Sequence, residues 1–161
     1  TTAGDRGRIH AKRAYSKPMN IIPYKAEHLD ALLLQPAQDS VRRYFGNPEY
    51  GKALELPGLA FTAEEGGRVL AMAGVMPRWE GRAEAWALLS GDLKRHFVRI
   101  HRAVLRFLDT TDIRRIETAV DANFPEGIVW ADMLGFKNEG LMRGYTPEGR
   151  DCYRFARVKG A

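Results

Sequence analysis

One stretch in the middle of the chain restricts its fold more than any other: a strand, a long amphipathic helix and a second strand in direct succession. Leu93, Phe97, Ile100, Val104 and Leu108 recur at the three- and four-residue steps that gather apolar side chains into one helical stripe. The opposite face carries Lys94, Arg95, Arg99, Arg102 and Arg106, and reads as an ordinary solvated basic ridge. Ahead of this helix Arg82–Leu89 reads as a strand. Behind it Arg115–Val120 alternates Ile116, Thr118 and Val120 with Glu117 and Ala119. A strand that returns through a helix to its own sheet makes a right-handed crossover, so the two strands are expected to lie parallel as neighbours. This excludes an all-antiparallel barrel or sandwich and predicts a mixed sheet.

The flanking segments add antiparallel strands. Leu59–Ala63 and Val69–Met76 surround the glycine turn Glu64-Glu65-Gly66-Gly67-Arg68, and Pro77 and Gly81 bracket a second turn leading into Arg82–Leu89. Asn20–Tyr24 predicts a first strand, with Pro23 marking an edge or an ending. Helices are expected over 26–34, closed by Gln35-Pro36, then from Asp39 or Ser40 to Gly46, and from an Asn47 N-cap to Leu54. A last helix over 125–134 and a hairpin of Lys137–Tyr145 with Arg150–Val158 complete the order. The expected class is α/β, with a mixed central sheet of about six to seven strands flanked by about four helices.

At 161 residues, 45% of them apolar, the chain fits one domain with its own core. No run approaches the roughly 18 apolar residues of a membrane-spanning helix, and the lone Cys152 points to a reducing, cytoplasmic setting. The formal charge of +5 is concentrated at the beginning: Arg6, Arg8, Lys12, Arg13 and Lys17 against Asp5 leave residues 1–18 at +4 and the rest at +1. Residues 1–18 therefore read as a basic flexible arm ahead of a domain at 19–161. With Tyr15 as a stacking ring, residues 6–17 suit nucleic acid, and an acidic protein surface suits them equally. His96 and His101 stand five apart on the long helix and face different ways, so no metal site is expected.

The last third of the chain carries a family likeness. Ile116-Glu117-Thr118-Ala119-Val120, then Asn123, then Trp130-Ala131-Asp132-Met133-Leu134-Gly135-Phe136 and Glu139-Gly140 resemble the carboxy-terminal half of the GNAT superfamily of acyl-CoA-dependent N-acyltransferases. The element order over 19–158 is similar to that superfamily's as well. The resemblance implies acetyl-CoA held between the two parallel strands and attack on its thioester by an amine, from a small molecule or a protein. It implies a phosphate cradle at Leu89, Ser90, Gly91, Lys94 and Arg95, a cofactor contact at Asn123, and Glu84 as the base. Each position also has a plainer reading: Glu84 as a surface carboxylate, Asn123 as turn and cap, and Asp92 as the N-cap of the long helix. Ala131 stands where the family's tyrosine acid is expected, and Trp130 beside it offers only an N–H donor. Tyr145 or Tyr153 serves as acid only if the fold brings it near.

A narrower likeness is to a group of phage proteins described as internal virion protein A-like, through Glu84-Ala85-Trp86, the segment 130–136, and Tyr145 with Gly149-Arg150-Asp151. It implies a phage or prophage origin, other virion proteins as partners, and a role in particle assembly or genome ejection. Two readings therefore stand: an N-acetyltransferase, and a non-catalytic particle component that uses the same fold as an interaction module.

Overall fold

The computed structural model describes residues 17–161; the basic-arm expectation falls largely on residues 1–16, outside the described part. Seven strands form one sheet: β1 (Met19–Pro23), β2 (Ala60–Glu65), β3 (Arg68–Trp79), β4 (Arg82–Leu89), β5 (Arg115–Asp121), β6 (Lys137–Met142) and β7 (Cys152–Val158). Their spatial order is β1-β2-β3-β4-β5-β7-β6. Every neighbouring pair is antiparallel except β4 and β5, which are parallel across the helical crossover. The α-helices are α1 (Arg42–Phe45), α2 (Pro48–Ala53), α3 (Phe97–Thr110) and α4 (Pro125–Met133), joined by three short 3-10 segments.

The alternation of β3 and β4 sends side chains to two cores. Met72 and Leu88 join Tyr24, Leu29, Leu32, Phe45 and Leu54 under the amino-terminal helical segments. Ala71 and Leu89 join Leu93 and Ile100 of the α3 stripe on the other face, while Ala83, Ile116 and Phe155 meet Leu108, Ala131 and Leu134. The stripe read from the sequence is therefore the seam of α3, with Ile100 and Leu108 buried on the helix and Leu93 buried in the turn ahead of it.

The amino-terminal helices depart from expectation. Instead of an α-helix over 26–34, a 3-10 turn spans Ala26–Ala31 and Leu32 is extended. The chain straightens because Leu34 bridges Ser90 at the end of β4, and a helix cannot supply that pairing. Pro36 opens the next segment rather than closing the last: a 3-10 turn over Pro36–Val41 runs into α1, as the fixed φ of proline favours at a first helical position. Neither Asp39 nor Ser40 caps it; Ser40 Oγ instead accepts from Arg150 Nη2 at 2.7 Å. Asn47 does cap α2, accepting from the Glu49 amide at 3.0 Å.

The long helix also starts later than expected, through a 3-10 turn at Lys94–His96, and Asp92 does not cap it. Arg68 at the start of β3 draws the Asp92 carboxylate away, and the Ser90 hydroxyl donates to it at 2.5 Å. β3 continues past Pro77 to Trp79 by way of a register shift. The closing hairpin is shorter than predicted because a shift at Asn138/Gly140 disturbs β6 and the chain turns at Gly144, φ +58°. At the end of α4, Gly135 takes φ +83° while the Phe136 amide donates back to Ala131 at 3.0 Å, a left-handed helix cap.

Candidate functional site

The parallel pair β4 and β5 stays together for only three registers, Arg82↔Arg115, Ala83↔Ile116 and Glu84↔Glu117. Beyond Glu84 and Glu117 the strands diverge, and a cavity of about 650 Å³ opens through the sheet. Ala85, Trp86 and Ala87 form one wall and Thr118, Ala119 and Val120 the other. An adjoining cavity of about 550 Å³ is lined by Leu89, Ser90, Gly91, Lys94 and Phe97. Gln38, Phe124, Gly127 and Trp130 line both.

Divergence exposes one edge of β4 to whatever can replace β5. The Thr118 hydroxyl takes the first place, donating to the Ala85 carbonyl at 3.2 Å. Further out, Gln38 Nε2 donates to the Ala87 carbonyl at 2.8 Å and Gln38 Oε1 accepts from the Leu89 amide at 3.0 Å. The Gln35 amide then donates to the Leu89 carbonyl at 3.0 Å. The buried indole nitrogen of Trp86, whose residue lines the inner cavity, finds no hydrogen-bond partner among the described residues. Trp130 does find one, donating to His101 Nδ1 at 3.1 Å.

At the closed end of the divergence, parallel pairing brings Glu84 and Glu117 side by side on one face. Two adjacent carboxylates need cations, and arginines from four strands supply them. Glu117, 8% exposed, accepts from Arg82 Nε at 3.0 Å, Arg115 Nε at 2.5 Å and Arg154 Nη1 at 3.3 Å. The hydrogen bond from Arg82 leads, and with Arg115 it outweighs burial and holds the Glu117 carboxyl down at about 2. Burial pushes the Glu84 carboxyl up, but Arg78, with Arg154 3.4 Å away, outweighs it and holds Glu84 below the usual carboxylate range. Glu84 is thus an ionised, arginine-bound carboxylate at the end of the cavity, beside Trp86 and not among the residues lining it.

Leu89, Ser90, Gly91 and Lys94 come together along the outer cavity. Arg95 turns away to Glu65 (3.3 Å) and His96 (3.1 Å). Asn123 is exposed in the turn after β5, its amide donating to Asp121 Oδ1 at 2.9 Å. Tyr145 reaches the inner cavity from the β6–β7 turn, and Arg154 Nη2 lies 3.5 Å from its hydroxyl; Tyr153 packs instead into the core under α3 and α4. Sequence reasoning missed Gln38, Gln35 and Arg150. No motif marks them, since each acts through chain segments far away in sequence. Among the described residues, no group of His, Cys, Asp and Glu is arranged to hold a metal ion, and no helix is long and apolar enough to cross a membrane.

The strand order, the single parallel pair and its divergence define the GNAT-like α/β fold. Solved structures of that fold superpose over nearly the whole domain. An acetyltransferase of the GNAT family from Bacillus cereus matches with a TM-score of 0.65 at 13% identity, covering 89% of this chain and 99% of its own. A probable acetyltransferase from Staphylococcus epidermidis gives 0.71 at 12% identity, with 88% and 99% covered. The ribosomal-protein-S18-alanine N-acetyltransferase of Escherichia coli gives 0.66 at 16% identity, with 88% and 94% covered. No protein-family model matches the sequence, and no curated protein matches it. The protein thus has the fold of the GNAT acetyltransferases, at identities where the likeness shows the fold alone.

Proposed function

We propose that the chain is an acyl-CoA-dependent N-acyltransferase acting on an amine. The observation that carries this reading is the divergence of β4 and β5 after Glu84 and Glu117, which opens two adjoining cavities of the right character. The inner one is largely apolar and edged by strand carbonyls and amides; the outer one has the ammonium of Lys94 beside Ser90-Gly91, whose own amides donate to the Leu70 and Leu33 carbonyls at 2.8 Å. Arg68 pairs with Asp92 and the Ser90 hydroxyl donates to it, which offsets its charge toward an anion there. Leu89, Ser90, Gly91 and Lys94 would hold the diphosphate end of acyl-CoA, with Arg95 and Asn123 at the margins. When bound, acyl-CoA supplies an acyl group activated as a thioester.

The chain's own residues orient the amine and handle the protons. Glu84, held ionised, draws a cationic amine to the closed end of the cavity and fixes Arg154. Its lowered pKa makes it a weak base, so solvent carries much of the deprotonation. Tyr145, with Arg154 beside its hydroxyl, replaces the acid that Ala131 does not provide and protonates the departing sulfur.

A second reading has specific support: the edge of β4 is already paired by Gln35 and Gln38, and Ala131 stands at the usual acid position. On that reading the fold is a non-catalytic phage or prophage particle component. One titration separates the two. Acetyl-CoA at a hundred times its dissociation constant stabilises a binder by about 2.7 kcal/mol, a rise of roughly 5–10 °C in Tm for a domain of this size. Amine-dependent thiol release should accompany it. No thermal shift at millimolar acetyl-CoA sinks the enzyme reading.

A further inference from the structure

We propose that Gln38 is a gate between the two cavities, occupying from within the strand edge that an incoming amide-bearing ligand must use. This inference rests on the acyl-CoA reading. Gln38 borders both cavities, and its side-chain amide completes a strand-like pairing with β4: Nε2 to the Ala87 carbonyl at 2.8 Å, Oε1 from the Leu89 amide at 3.0 Å. Gln35 Nε2 also donates to Gln38 Oε1 at 2.8 Å and steadies it. The pantetheine arm of an acyl-CoA is long, thin and carries two amides. With its phosphates at Ser90-Gly91-Lys94 and its sulfur in the inner cavity, it has to pass Gln38 and meet the same Ala87 carbonyl and Leu89 amide.

The exchange trades one amide for another on the same backbone atoms, so hydrogen bonding is conserved and the gate opens without leaving a buried group unsatisfied. The local structure also permits it. Gln38 lies in the 3-10 turn Pro36–Val41, none of whose residues is fully buried, and a segment with so little buried apolar surface opens at low free-energy cost. The closed state satisfies the exposed edge of β4 when no ligand is present, the problem that any diverging pair of strands creates.

The test is calorimetric titration of acetyl-CoA into the full chain and into Gln38→Ala and Gln38→Met, the latter keeping most of the side-chain volume while losing both hydrogen bonds. Both variants are expected to bind about tenfold more tightly, the factor that one net hydrogen-bond free energy represents. Hydrogen exchange gives an independent readout: the Leu89 amide should exchange faster in free Gln38→Met than in the native chain and become protected again when acetyl-CoA binds. Native binding that both variants exceed by about tenfold supports the gate. Native binding with equal or weaker binding by the variants overturns the gate and leaves the acyltransferase reading standing, as does a Leu89 amide that stays unprotected in the complex. No binding by any of the three chains overturns both.

Discussion

Replacing Glu117 with Gln isolates the charge cluster that closes the β4–β5 pair. The side chain is 8% exposed and receives hydrogen bonds from Arg82, Arg115 and Arg154, so the amide leaves three guanidinium groups facing a neutral partner. A carboxyl held at about 2, against an ordinary 4.5, corresponds at about 1.36 kcal/mol per pKa unit to roughly 3 kcal/mol of folded-state stabilisation. Breaking one partner of a buried ion pair costs a similar 3–5 kcal/mol or so. The pH dependence has a definite sign. Because the folded pKa is depressed, the contribution is complete above about 4.5, declines as pH falls, and is gone below about 2.

Urea unfolding of the native chain and Glu117→Gln, followed by tryptophan fluorescence, should therefore differ by about 3 kcal/mol at pH 7, and the difference should shrink steadily from pH 5 towards pH 2.5. Glu84 and Glu139 are also held below the usual carboxylate range, but they are present in both chains and largely cancel, apart from coupling through the shared Arg154 and Arg115. A difference below about 1 kcal/mol at pH 7, or one that does not change with pH, would refute the reasoning.

Gly74→Ala places a Cβ 2.6 Å from the Leu59 carbonyl and 2.8 Å from Ala60 Cα, both backbone atoms, so β2 and β3 must shift, and a loss of about 1–3 kcal/mol is expected in the urea midpoint; an unchanged midpoint would show that the strands have slack. Asn47→Ala removes the cap of α2, and calorimetric melting should record a loss of about 0.5–2 kcal/mol, with faster amide exchange confined to Glu49 and Tyr50. Tyr145→Phe should lower kcat of acyl transfer by about a hundredfold with little change in acetyl-CoA affinity; an unchanged kcat removes the tyrosine from the proton path.

Much of the fold is legible where side-chain period and topology agree. The α3 stripe, the two flanking strands and the Gly135 cap each follow from local spacing or local conformation, and the crossover rule converts them into a parallel pair. The amino-terminal helices are less legible because their geometry answers to β4: Leu34 has to reach Ser90, and Gln35 and Gln38 have to reach Leu89 and Ala87. Asp92 shows the same effect at one residue. Its local surroundings suit a helix cap, but Arg68, 24 positions earlier, offers a stronger partner.

The candidate site divides along the same line. Leu89, Ser90, Gly91 and Lys94 adjoin one another in sequence and remain together in space because one strand end and one turn hold them. Tyr145 beside Arg154, Glu84 beside Glu117, and Gln38 on the edge of β4 are juxtapositions made by strand order. By itself the sequence determined which segments are helix and strand around the crossover, since those follow from short-range periodicity and handedness. Only the tertiary structure decided how far β4 and β5 run together, what fills the gap beyond them, and which arginines neutralise the two glutamates. Those outcomes depend on contacts between residues dozens of positions apart, where packing and charge compensation outweigh local preference.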